Sequence, residues 1–379
     1  MKMQDAVLIA GGYGVVGRQV AALIRQRHPQ LSLVIAGRSL EKADALAREL
    51  GHAQGFRLDV DRPDPLQGVR FRAVVAAVND PEDYLLWDAV QHSIPYMDIT
   101  RWPERLRASA AGLVGKPLKA PVLFASGWMG GVASIATVAI ARTLLNVERI
   151  DISVLFSMQD KSGPNSVEYM DRLATPFATM IDGQLIQVKP FTDPRTVTFP
   201  RGYTTPVYRF DTPDQLTLPQ TTGARTVATR IAFDDGLATG LLRFLIRSGL
   251  WTLISGDRFT GLRRSLLHNP GSGASHEIQI AVAGRDLHGT EVVKTVMIVD
   301  PQGQTHLTAL GALIQLERLL GLDGATSSKA GVTYPDTNPQ VEHALHLLDS
   351  FGVTVSRVGK RVEDAATCLQ SFSTDINCA

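Results

Sequence analysis

The sequence predicts an α/β fold, in which a doubly wound parallel sheet is joined to a second, α+β domain with a largely antiparallel sheet. Three observations carry this. Residues 6–10, Ala6-Val7-Leu8-Ile9-Ala10, form a short apolar run that leads straight into a glycine turn and a helical segment. Up to residue 130, further short apolar runs alternate with helical patterns, the rhythm of parallel strands joined by right-handed crossovers. Beyond residue 130, longer alternating segments are separated by Pro- and Gly-rich connections such as Phe199-Pro200-Arg201-Gly202-Tyr203.

The first strand is apolar at every position, as expected where both faces of a sheet are covered. It runs into Gly11-Gly12-Tyr13-Gly14-Val15-Val16-Gly17, in which Gly12, Gly14 and Gly17 fit G-x-G-x-x-G. In that motif the first glycine permits the tight turn, the second lets the backbone approach a pyrophosphate, and the third allows close helix–strand packing. The helix that opens at residue 18 adds unpaired N–H groups and a positive dipole end for the phosphates. The strand, loop and helix together predict a dinucleotide site, against the alternative of a glycine-rich turn in an unrelated α/β unit. The expected fold is therefore of Rossmann type.

The second strand, 31–36, ends at Gly37-Arg38-Ser39. A site for NAD usually holds an acid about 20 residues past the glycines, on the ribose hydroxyls. Here Arg38 stands there, with Ser39 beside it and Lys42 one turn into the next helix. A guanidinium pairs with a 2′-phosphate and stacks on adenine, so the expected cofactor is NADP(H). The plainer reading is a solvated arginine at a strand end. Ser39 is also a plausible N-cap for a helix over 39–50, and Gly51 a plausible stop.

The third strand is expected at 55–60, with Asp59 at its end, either near the adenine or simply in a turn. The fourth, 73–78, closes at Val78 and Asn79, which are assigned to the cofactor with the loop. A fifth covers 96–100 and a sixth 122–125. After the turn Gly127-Trp128-Met129-Gly130-Gly131, an apolar helix is expected over 132–145. Strands follow at 150–156, 184–188, 226–233, 277–283 and 292–299, then a helix over 308–320. The tail, a helix at 340–351 and a strand at 353–358, is expected to pack back on the first domain. The boundaries read as 1–130 for the dinucleotide domain, completed by 331–379, and 131–330 for a substrate-binding and dimerisation domain.

Composition narrows the classes. Hydrophobic residues make up 44 % and charged residues 20 %, ordinary for a globular protein. A net charge of +1 offers no electrostatic case for nucleic acid. The two cysteines, Cys368 and Cys378, suit a reducing cytoplasm, and no secretory leader pattern precedes the first strand. Among the nine histidines, His343 and His346 share a helix face without an acid or cysteine spaced to complete a metal site. The stretch 236–255 is rich in Leu, Ile, Phe and Trp, but Arg243 and Arg247 interrupt it at helical spacing, so it is a poor membrane span. It reads as a helical pair packed on its own sheet or on a second subunit, a homodimer being expected, or as a segment lying on a membrane surface.

Four patterns resemble the saccharopine dehydrogenase-like family, the saccharopine reductase type of NADP-dependent oxidoreductase. They are the glycine loop with Ala36-Gly37-Arg38; Tyr96-Met97-Asp98-Ile99-Thr100; Ser126-Gly127-Trp128-Met129-Gly130-Gly131; and Thr308-Ala309 with the later Gly331-Val332-Thr333-Tyr334-Pro335. The chain departs from the family where Met129-Gly130-Gly131 replaces a Pro-containing turn and where Pro335-Asp336 replaces Pro-Glu. The resemblance implies a nucleotide domain whose chain leaves for a sheet-based substrate domain and returns. It also implies reduction of an imine formed from an amino compound and a carbonyl compound, or the reverse oxidation, with an amino acid or amine-derived imine as substrate. Reduction of C=O or C=C on the same fold, and dinucleotide binding without catalysis, are the alternatives.

For imine chemistry a carboxylate near the reacting carbon stabilises the iminium cation. Asp98 at the end of the fifth strand is the candidate, with Tyr96 on the same face two residues earlier; the alternative is that Asp98 caps the turn through Thr100 and Arg101. Trp128 is expected to wall the nicotinamide pocket or to anchor the next helix. Gly130 and Gly131 open that helix and offer its N–H groups to a substrate carboxylate. In the second domain Tyr169 is a further catalytic candidate, and Arg172, Arg230 and His276 are substrate-binding candidates; each is otherwise an ordinary surface or sheet-edge residue.

Overall fold

The computed structural model describes residues 2–160, 172–251 and 273–361. The first sheet begins with β1 (Val7–Ala10), followed by α1 (Val15–Arg27), β2 (Leu33–Gly37), α2 (Leu40–Leu50) and β3 (Ala53–Arg57). It continues with β4 (Ala73–Ala76), α3 (Tyr84–Gln91), β5 (Tyr96–Asp98), α4 (Pro103–Leu113) and β6 (Pro121–Phe124). β1, β2, β4 and β6 are buried at every residue, the reason their sequences are apolar throughout. Alternate side chains divide between two cores, Val7, Ile9, Ile35 and Val75 on one face and Leu8, Ala10, Val34 and Val74 on the other.

α5 (Val132–Ala141) leads into the second domain and is buried from Val132 to Ile140, which accounts for its apolar character all round. The chain then forms β7 (Asn146–Phe156), β8 (Phe177–Ile181), β9 (Gln184–Val188), β10 (Arg195–Thr198), β11 (Thr204–Arg209), α6 (Asp214–Thr222) and β12 (Thr226–Phe233). α7 (Gly236–Arg247), β13 (His276–Arg285), β14 (Glu291–Asp300), α8 (Gln304–Leu320), β15 (Gly331–Thr333), α9 (Val341–Ser350) and β16 (Thr354–Arg361) complete the described chain.

The seven strands of the first sheet run in the order β15-β6-β5-β4-β1-β2-β3, all parallel. The order reverses at β1, between β2 and β4, so a crevice opens at the carboxyl ends of β1 and β4. The second sheet runs β10-β11-β12-β7-β13-β14-β16 and is antiparallel except for the β12–β7 pair. The first domain is thus a Rossmann-type parallel sheet and the second carries a mixed, largely antiparallel one.

The tail corrects one expectation. β15 does join the first sheet beside β6, but β16 pairs with β14 at the edge of the second. Pairing β16 there satisfies the open hydrogen-bonding edge of β14. α8, expected wholly within the second domain, lies along α1: Gln19 donates to Thr305 at 2.8 Å, and Glu317 receives both Arg27 and His28. His343, from α9, also reaches Glu317, at 2.6 Å.

Among the described residues no helix is long and apolar enough to cross a membrane. α7 buries Thr239 and Leu242, while Leu237, Leu241 and Phe244 are 87, 60 and 61 % exposed.

Candidate active site

A cleft of about 650 Å³ runs from the glycine turn of the first sheet to the inner face of the second. At one end Gly11, Tyr13, Gly14, Val15 and Val16 line it. The left-handed residue of the turn is Gly11, with φ +74°, rather than Gly12. Gly12 and Gly17 serve packing instead: a Cβ on Gly12 would stand 2.8 Å from the Ile9 carbonyl, and one on Gly17 2.2 Å from that of Gly11. Gly14 is the N-cap of α1 and supplies no side-chain cap, leaving the helix's positive end facing the cleft.

Tyr13 lies across Gly37, whose missing Cβ would fall 2.5 Å from the ring, and its hydroxyl accepts the Ser39 N–H at 3.0 Å. Arg38 lines the cleft, is exposed, and has no hydrogen-bond or ion-pair partner among the described residues. Beside it stand Leu58, Val60 and Asp61. Ser39 and Lys42 are not among the residues lining the cleft: Ser39 caps α2 by accepting the Lys42 N–H at 3.3 Å, and Lys42 is exposed on α2. Asp59 is a turn residue: its carboxylate accepts the Asp61 N–H at 3.2 Å and faces Arg62 at 3.5 Å.

At the edges of β4, β5 and β6 the cleft is lined by Val78, Asn79, Ile99, Thr100 and Ser126. Asp98 does not reach it. That carboxylate is 1 % exposed and accepts from Tyr96 Oη at 2.9 Å, from the Thr100 N–H at 2.8 Å and from Ser126 Oγ at 3.0 Å. Arg101 Nε lies 3.0 Å from Asp98 Oδ2, the oxygen that also receives Tyr96, and Asp83 and Ser109 complete the shell of that guanidinium. The turn-capping reading of Asp98 is the correct one, and Tyr96 belongs to the same closed network, its hydroxyl pushed well above its ordinary pKa by burial and by Asp98. Asp98 meets the cleft through Thr100 and Ser126, which it holds and which line it.

The far wall is apolar. Trp128, Met129 and Gly130 reach it from the β6–α5 turn, Phe156 and Ile231 from the second sheet, Phe210 from just past β11, and Gln304, Thr305 and Thr308 from the start of α8. Trp128 is held by both its nitrogens: the backbone N–H donates to Asp214 at 2.8 Å and the indole N–H to His276 Nε2 at 3.1 Å. It also packs edge-on against Phe210, with centroids 5.7 Å apart. It is therefore both wall and anchor. Asp214 is buried, which raises its pKa, and its other oxygen receives Ser134 Oγ at 2.5 Å.

The expected carboxylate site at the start of α5 is not open. Met129, Gly130 and Gly131 all have positive φ, and the N–H groups of Gly131, Val132 and Ala133 turn back to carbonyls of Gly127, Met129 and Trp128. A Cβ on Gly131 would lie 2.3 Å from Pro335, and one on Gly130 2.9 Å from the Thr308 carbonyl, so both glycines admit close packing, while Gly130 still lines the cleft.

Three substrate candidates are engaged elsewhere. Arg230 is buried on the face of β12 opposite Ile231, paired with Asp151 at 2.6 Å and Asp193 at 2.5 Å. Arg172 pairs with Glu104 and stacks over Trp102 at 5.1 Å. His276 is buried behind Trp128, and burial lowers its pKa to about 3. Tyr169 lies outside the described residues. Among the described residues no group of three His, Cys, Asp or Glu is placed to hold a metal ion.

No family model and no curated protein matches this chain. Among solved structures it is similar to apo saccharopine dehydrogenase (L-Glu forming) from Saccharomyces cerevisiae, with 14 % identity and a TM-score of 0.68 over 94 % of this chain and 100 % of that one. A myo-inositol dehydrogenase from Corynebacterium glutamicum (14 % identity, TM-score 0.41, 93 % and 98 % covered) is more distant. So is GenD2 from gentamicin A biosynthesis, solved with NAD (12 %, 0.41, 95 % and 97 %). The chain has a saccharopine dehydrogenase-like fold.

Proposed function

We propose that this chain is an NADPH-dependent oxidoreductase that reduces an imine formed from an amino compound and a carbonyl compound, or oxidises the amine in reverse. The observation that carries the reading is one continuous cleft with a glycine turn and the uncommitted Arg38 at one end and the aromatic wall of Trp128, Phe156 and Phe210 at the other. The residues present suit a dinucleotide. The uncapped start of α1 and Gly14 would hold the pyrophosphate, Arg38 the 2′-phosphate, and Thr100 with Ser126 the amide at the nicotinamide end. When bound, reduced nicotinamide supplies the hydride. The chain orients the substrate over that ring, and the aromatic wall keeps water from the reacting carbon. Full-length likeness to the saccharopine dehydrogenase fold supports the choice of C=N.

A second reading, reduction of C=O or C=C, is favoured by one observation: Asp98, the carboxylate expected to stabilise an iminium, is sealed behind Thr100 and Ser126. The test is NADPH oxidation by the full chain with ketones alone, with ketone and amine together, and with enones. Turnover that requires the amine supports the first reading, and turnover without it the second. NADPH binding with no turnover on any of them would leave a dinucleotide-binding protein.

A further inference from the structure

The substrate half of the cleft differs in character from its cofactor half. Its lining from the second domain is Phe156, Phe210 and Ile231, joined by Trp128 and Met129, with polar atoms confined to Gln304, Thr305 and Thr308 along α8. The charged side chains that line the cleft among the described residues are Arg38 and Asp61, both at the end near β2 and β3. Asp160 accepts the Gln304 N–H at 2.8 Å, and four other ionisable groups of the second domain are engaged away from the cleft. Arg230 is tied to Asp151 and Asp193, Arg172 to Glu104, and Asp214 to Ser134 and the Trp128 N–H. His276, held neutral by burial, has its Nε2 occupied by Trp128.

An unpaired charge buried against such a wall is strongly disfavoured, whereas an apolar group is favoured in proportion to the area it covers. We infer that the compound reduced here is uncharged and apolar around its reacting carbon, with an aliphatic or aromatic body and one hydrogen-bonding group within reach of α8. Among the described residues no cation lines that wall to pair with an α-carboxylate beside the reacting carbon. The inference rests on the reading of the cleft as a nicotinamide and substrate site, and narrows it to neutral ketones and enones, or to unprotonated imines of simple amines and ketones, in preference to imines of amino acids.

The test compares two probes of one skeleton, 4-phenyl-2-butanone and 4-phenyl-2-oxobutanoate, in which a methyl group is replaced by a carboxylate. Binding of each to the NADPH-saturated full chain is followed by tryptophan fluorescence, and NADPH oxidation is followed with and without methylamine. The ketone is expected to bind at least about tenfold more tightly than the oxo acid. Ile231→Arg, which adds a cation to the wall, should narrow or reverse the gap. Equal or tighter binding of the oxo acid by the unmodified chain overturns the inference, as does failure of both probes to bind. Tight ketone binding without turnover would sustain the apolar site while counting against the proposed reaction, so the two fail separately.

Discussion

The indole N–H of Trp128 donates to Nε2 of His276 across 3.1 Å, tying the wall of the cleft to the first residue of β13. The bond requires an acceptor at Nε2, so the imidazole is neutral and carries its proton on Nδ1. Burial keeps it neutral, with a pKa lowered to about 3.

A pH dependence follows. With a pKa near 6.5 when unfolded and about 3 when folded, His276 takes up a proton more readily in the unfolded chain. Its contribution to stability is complete above the unfolded value and is lost as pH falls from there toward the folded one. Asp80, raised from 3.8 to about 6 by burial, acts in the opposite sense, favouring the folded state as pH falls through that window. His276→Gln, which keeps an acceptor for Trp128, should flatten the acid loss of melting temperature, and Asp80→Asn should steepen it. Thermal denaturation across that range checks both, and unchanged profiles would refute the assignments.

Arg38 should decide between the two nicotinamide cofactors. A charge-assisted contact of this kind is worth roughly 1.5–3 kcal/mol. Arg38→Ala is expected to weaken NADPH about tenfold to a hundredfold and to leave NADH nearly unchanged, measured by fluorescence titration. Equal affinities of the unmodified chain for both would remove the role.

Asp98→Asn should act on folding before chemistry. Removing one partner of a buried ion pair typically costs about 3–5 kcal/mol, here moderated because Arg101 keeps Asp83. Urea denaturation should show a marked loss, with turnover reduced but its pH profile unchanged in shape. A variant of full stability whose loss of turnover disappears at lower pH would return Asp98 to the iminium role.

Two helical glycines should respond oppositely to substitution, one at the contact of α8 with the Met129 turn and one on the open face of α7. A Cβ on Gly311 would stand 2.2 Å from the Met129 carbonyl, so Gly311→Ala should cost about 1–3 kcal/mol. Gly240 in α7 has nothing near its missing Cβ, and Gly240→Ala should gain up to about 1 kcal/mol from helix propensity. The pair is read from denaturation midpoints.

We propose a homodimer through the second domain, where α7 exposes Leu237, Leu241 and Phe244. Light scattering at micromolar concentration should give twice the chain mass, and Phe244→Glu should lower it. A monomer would overturn the proposal, and recovery on liposomes would favour a membrane surface instead.

The glycine turn and Arg38 were legible because local rules govern them: a strand–turn–helix written in consecutive residues. The entry of α8 was not. The sequence predicts a helix from Thr308, yet α8 starts at Gln304 after Gly303, which offers no capping side chain, so no local signal marks Gln304 and Thr305.

By itself the amino-acid order determined the parallel sheet, its glycine turn and the cation at the end of β2, since apolar runs, period and turn chemistry act between neighbours along the chain. Only the tertiary structure decided what each polar group faces. Asp98 and Arg230 look available in sequence, but the first is closed in by Tyr96, Ser126 and Arg101 and the second by Asp151 and Asp193. Their partners lie on other strands and turns, and a buried charge must be paired wherever the packing brings a counter-charge. The cleft's far wall came from Phe156, Phe210 and Ile231, distant in sequence from the nucleotide loop and joined to it only when the two sheets pack together.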